Sequence, residues 1–162
     1  MGPEGQTPEL RSWDRRDRIS AISAITVSPC RQRLNLYFEL LPDNKTVHAA
    51  HIIDFLRQLK TQLGGVFTLL WDGSNIHSKS ALVRAYLANH PEIVAETLPA
   101  YAPELNPDEG VWGWTKYGRL SNLAAKNTRE LRGKVMSELL DLKGNQTMLG
   151  SMIQETGLPV AA

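Results

Sequence analysis

Val66 to Trp71 is a continuous apolar run, too short for a helix, that stops abruptly at Asp72. A strand buried on both faces reads this way, and such strands belong to parallel sheets covered by helices. The next two segments agree with that reading. Residues 78 to 89 have the pattern of a helix closed by Asn89, His90 and Pro91, and Ile93 to Leu98 is a further short strand ending at Pro99. The order strand, helix, strand over residues 66 to 98 predicts an α/β fold with a helix-covered parallel sheet.

The segments on either side extend the pattern. Residues 2 to 18 are rich in Gly, Pro and charge without a sustained period, and read as a lead-in loop. Ile19 to Val27 and Leu34 to Leu40 are predicted as an antiparallel hairpin, with Pro29 to Gln32 as the turn and Leu34, Leu36, Phe38 and Leu40 on one face. Thr46 is the expected cap of a helix whose apolar positions are Ala49, Ile52, Ile53, Leu56, Leu59 and Leu63, ended by Gly64 and Gly65. From Asn106 the chain turns helical, with Pro107 at a first helical position and Asn106 and Glu109 at capping-box spacing. A last helix is expected from about Thr128 to Leu142, with Leu131, Val135, Leu139 and Leu142 on one stripe; Gly144 to Ala162 has weaker periodicity.

Nothing divides the chain, so residues 1–162 are read as a single domain; 42% hydrophobic residues suffice for a core without disulfides or structural metals. Cys30 is the only cysteine, which excludes an intramolecular disulfide and fits a reducing compartment. The first residues lack a signal-peptide layout and no apolar run is long enough to span a bilayer, so a cytoplasmic protein with no membrane partner is expected. A net charge of +1 does not announce nucleic acid. Arg11, Arg15, Arg16, Arg18, Arg31 and Arg33 bias the start toward positive charge, for which a solvated surface is the default.

Asp72 stands at the carboxyl end of a parallel strand, the edge where open α/β sheets place their ligands. It could equally cap the following turn at Gly73 and Ser74. Glu109 alone is explained by the capping box. A capping glutamate folds back on its own helix, whereas a metal ligand turns toward Asp72.

The two acids lie inside longer motifs. Trp71-Asp72-Gly73-Ser74-Asn75-Ile76-His77 is followed by Leu98-Pro99-Ala100-Tyr101-Ala102-Pro103-Glu104-Leu105-Asn106-Pro107-Asp108-Glu109-Gly110-Val111-Trp112 and then Lys116. This resembles the DDE transposases (DDE superfamily endonucleases) of the mariner-like superfamily of insertion sequences. Their signature is a strand-end Asp with His five residues on, then Leu-Pro-x-Tyr-x-Pro-x-Leu-Asn-Pro-x-Glu-x-x-Trp. The 36 residues between Asp72 and Glu109 are close to the family spacing, and Gly5-Gln6-Thr7-Pro8 with the hairpin extends the likeness over nearly the whole chain.

The resemblance implies a ribonuclease-H-like mixed sheet flanked by helices, and Mg²⁺ or Mn²⁺ in a two-metal site held by three carboxylates. Hard oxygen ligands and phosphodiester chemistry agree with that. On the family pattern Asp72 and Glu109 are catalytic metal ligands, and His77 contacts DNA or organises the site, with a structural hydrogen bond near a helix start as its alternative. Tyr101 and Asn106 shape the loop and cap the helix, and Trp112 is read as core. Lys116 and Arg119 are DNA-backbone candidates, with solvated surface as their default. The implied partners are double-stranded DNA, as transposon ends and target, and a second copy in a homodimer.

The family's first catalytic Asp lies on a central strand before the hairpin, and no such strand is legible here. Asp14 and Asp17 sit in a polar, arginine-rich run that cannot supply it. The expectation is therefore a sheet lacking its first central strand, an absent helix-turn-helix region, and a chain inactive alone unless an upstream fragment carries the missing Asp. A remnant, a two-frame gene product and a misplaced start all accommodate this. The alternative function is a non-catalytic DNA-binding or assembly module that retains the fold.

Overall fold

The computed structural model describes residues 18–30, 33–74, 79–121, 123 and 125–158. His77, Asp14, Asp17, the Gly5–Pro8 segment and part of the hairpin turn lie outside the described residues.

β1 (Ala21–Val27) and β2 (Leu34–Leu40) form an antiparallel hairpin in which Ser23 pairs with Phe38 and Ile25 with Leu36. Alternation gives the hairpin two apolar faces. Ile25, Leu34, Leu36, Phe38 and Leu40 join one core cluster, while Ile22, Ala24 and Tyr37 point into another.

The second cluster is filled by α1 (Ala49–Leu63), whose Ile52, Phe55, Leu56 and Leu59 are buried, by Val83 of α2 (Ala81–Ala88), and by Phe67, Leu69 and Trp71 of β3 (Phe67–Trp71). α1 begins later than expected. His48, not Thr46, is its cap residue, and the His48 amide donates to His51 Nδ1 at 3.0 Å. Gly64 and Gly65 end the helix at φ of 63° and 66°, a region that favours glycine.

β3 pairs in parallel with β4 (Ile93–Thr97), as predicted. The Leu98 amide continues the ladder to Trp71 O at 2.8 Å, so the last bonded residue of β3 immediately precedes Asp72. Burial of β3 on both faces is not observed. Thr68 and Leu70 are exposed, because α1 and α2 cover only the face that carries Phe67, Leu69 and Trp71.

The first cluster is closed by α3 (Pro107–Gly113), α4 (Thr128–Gly144) and α5 (Gln146–Glu155). α5 falls in the tail of weak periodicity, yet it buries Leu149, Met152 and Ile153. Asn127 caps α4 through Glu130 N, and Asn145 caps α5 through Met148 N. α3 runs into a π-helical turn over Trp114–Arg119.

The result is α/β: a hairpin between two helical layers, with the parallel pair beside it. Among the described residues the four strands form two separate two-stranded sheets, β1-β2 and β3-β4. No helix among them is long and apolar enough to cross a membrane.

Candidate active site

Asp72 is exposed at the end of β3, and its Oδ1 accepts the Ser74 amide at 2.9 Å. The turn-capping interaction is therefore real, and it fixes the carboxylate at the sheet edge.

Glu109 is the third residue of α3, and the capping box is not closed there. Asn106 Oδ1 caps the helix by accepting the Asp108 amide at 3.1 Å, while the Asn106 amide donates to Pro103 O at 2.9 Å. The donor to which Glu109 would fold back is thus occupied. Glu109 is exposed.

Between them lies an acid that the motif leaves as a variable position. Asp108 Oδ2 accepts from Ser23 Oγ of β1 at 2.7 Å and from Trp112 Nε1 at 3.1 Å. Its Oδ1 is closed to solvent and has no hydrogen-bond partner among the described residues. Burial pushes the Asp108 carboxyl up; the bonds from Ser23 and Trp112 pull it down, and the charges of Glu109 and Asp72 push it up again. Both motif acids therefore lie within electrostatic reach of Asp108. The only sequence signal for it is an Asp preceding the motif Glu; its partner Ser23 is 85 positions away.

Trp112 is partly buried against the first core cluster, as expected. Lys116 Nζ stands 5.7 Å from its ring centroid. Arg119 Cζ lies 5.0 Å from the Trp114 centroid, and its Nε is 3.5 Å from Glu138 Oε2. Both cations are exposed and both rest on indole faces. Tyr101 is fully exposed, with φ of 58°.

Among the described residues no three His, Cys, Asp or Glu side chains are already gathered around one point. The donor chemistry nevertheless fits a hard divalent cation. Asp72 and Glu109 offer exposed carboxylates, and Asp108 adds a buried oxygen without a donor.

A strand-end acid and a second acid near the start of a later helix, in a mixed α/β frame, fit the ribonuclease-H-like fold. The chain belongs to the DDE superfamily endonucleases, whose family model matches residues 1–132. Among solved structures, it is similar to the Mos1 transposase catalytic domain determined with raltegravir and Mg. That similarity is 16% identity over 86% of this chain and 79% of the other, with a TM-score of 0.54. It is also similar to the Mos1 mariner paired-end complex with Mn, at 15% identity over 88% of this chain and 54% of that one, with a TM-score of 0.55. These likenesses establish the fold. No curated protein matches the chain.

Proposed function

We propose that this chain is a transposase catalytic core whose Asp72 and Glu109 bind Mg²⁺ or Mn²⁺ for DNA strand cleavage and strand transfer. The observation that carries the reading is the placement of these acids: Asp72 at the β3 edge, its Oδ1 accepting the Ser74 amide, and Glu109 near the start of α3. The family match and the mariner-type fold support it.

Asp72 and Glu109 would hold the metal; when bound, it would supply charge stabilisation at the attacking and leaving oxygens of a phosphodiester. The chain's own residues set that site. The Ser74 amide holds Asp72 at the strand end, and the Asn106 cap starts the helix that carries Glu109. Duplex DNA, as element ends and target, is the substrate, and a second copy is the partner that would pair two ends. Lys116 and Arg119 offer positive charge on the segment following α3.

Residues 1–162 by themselves are expected not to cut, because a third acid on a central strand is not legible in them. The test is metal-dependent nicking of duplex DNA by the purified chain, alone and joined to whatever segment the DNA upstream of the Met1 codon encodes. Activity is expected only with an added strand ending in Asp, and Asp72→Ala or Glu109→Ala should abolish it. Nicking by residues 1–162 alone that is lost in Asp72→Ala would overturn the inactivity. Nicking indifferent to both substitutions would overturn the site assignment, and salt-dependent DNA binding indifferent to both, without nicking, would favour a non-catalytic module.

A further inference from the structure

Asp108 is a desolvated carboxyl group with no cationic partner among the described residues. Its Oδ2 receives two neutral donors, Ser23 Oγ and Trp112 Nε1. Its Oδ1 receives none from the described residues and is closed to water. None of the ion pairs among the described residues includes Asp108. The charged groups that act on it are two more carboxylates, Glu109 and Asp72. A desolvated carboxylate is tolerated when a cation or metal compensates it, and an orphaned buried oxygen in a folded protein calls for an ion or a water. A dry carboxylate oxygen under the charge of two further acids is matched by a hard divalent cation, which takes oxygen ligands and neutralises their repulsion.

We propose that Asp108 is a carboxylate of the metal centre, its Oδ1 binding directly a divalent cation shared with Asp72 and Glu109. This rests on the proposed function in taking Asp72 and Glu109 as metal ligands. The bonds to Oδ2 give Asp108 its orientation: Ser23 and Trp112 hold one oxygen and leave Oδ1 as the ligating atom. Among the described residues the three carboxylates are not gathered around one point, so shared binding would require the exposed Asp72 and Glu109 to move toward Asp108.

The competing role for Asp108 is a latch tying α3 to β1. Mn²⁺ titration of residues 1–162 by calorimetry separates the two, with circular-dichroism melts confirming that each variant folds. The wild type is expected to take up Mn²⁺; Asp108→Asn and Asp72→Asn should each weaken uptake by about tenfold or more. Ser23→Ala, which removes one of the two orienting bonds but keeps the carboxylate, should weaken uptake less than Asp108→Asn does. Asp108→Glu restores the charge and should recover part of the affinity, which keeps the test decisive if Asp108→Asn fails to fold. Wild-type affinity in Asp108→Asn with loss in Asp72→Asn would overturn this inference alone. Equal losses in Ser23→Ala and Asp108→Asn would reduce Asp108 to the latch, and a wild type that takes up no Mn²⁺ would overturn the inference and the metal reading together.

Discussion

Lys60 of α1 and Glu92, just before β4, meet with Nζ and Oε1 2.6 Å apart, and His90 Nδ1 lies 3.0 Å from both partners. The Lys60 hydrogen bond, helped by Glu92's own backbone amide, lowers the Glu92 carboxyl from 4.5 to about 2. A depressed carboxylate favours the folded state above its unfolded value and loses that contribution as pH falls toward its folded value. Melting temperature should therefore fall between pH 4.5 and about 2, and less steeply in Lys60→Met. The Asp43 carboxyl is also lowered, by its hydrogen bond from Arg132, so the readout is the difference between wild-type and variant melts. Parallel curves would discard the assignment. At this scale the sequence was informative where chemistry is local. Asp72 and Glu109 were singled out because each sits in a contiguous motif, and the Asn106 cap was legible because a cap acts within its own turn. Asp108 was not, since what makes it unusual is Ser23 on a distant strand.

Elements were legible where apolar periodicity runs for several turns or a full strand, as in α1, α4 and the hairpin. α5 failed that criterion: its buried residues, Leu149, Met152 and Ile153, span little more than one turn. For β3, an apolar run reveals the strand but not how many faces are covered, and Leu70 is 45% exposed. The contact between α3 and α5 has a consequence for the site. A Cβ on Gly110 would lie 2.9 Å from Met152 Cγ and 3.2 Å from its Cβ, so the helices approach through a glycine next to Glu109. Gly110→Ala should destabilise the fold by about 1–3 kcal/mol through overpacking. Met152→Ala alone should cost about 2–5 kcal/mol. Together they should cost less than their sum, since one makes the space that the other fills. Urea unfolding of the four proteins checks this; strict additivity would mean that α3 and α5 do not press on one another there. Arg132 is a second joint. It donates to Leu40 O at 3.2 Å, to Leu41 O and to Asp43 Oδ1, pinning α4 to the end of β2. Arg132→Ala should cost about 1–3 kcal/mol by stranding those carbonyls, measured in the same way.

Over the whole molecule, the family match and the packing unit do not coincide. The match ends at residue 132, inside α4. The first core cluster contains Leu36 and Val111 from the matched part, and Val135, Leu139, Leu142, Leu149 and Met152 from beyond it. Leu139, Leu142 and Leu149 have no exposed surface at all. The last helix also satisfies the hairpin: Gln146 Oε1 accepts the Leu34 amide at 2.9 Å, and its Nε2 donates to Leu34 O at 2.8 Å. Each lost buried leucine is worth about 2–5 kcal/mol, against a total stability on the order of 5–15 kcal/mol for a domain. A chain ending at residue 132 should therefore show no cooperative melt and should expose a dye-binding apolar surface. One ending at Asn145 loses Leu149, Met152 and the Gln146 bonds, and should fold weakly at best. Circular-dichroism melts and dye binding of the two truncations check this, and a sharp melt of residues 1–132 near the full-length temperature would refute it. Because α5 packs on α3 at Gly110, the same truncations should weaken Mn²⁺ uptake, which links the unmatched tail to the placement of Glu109.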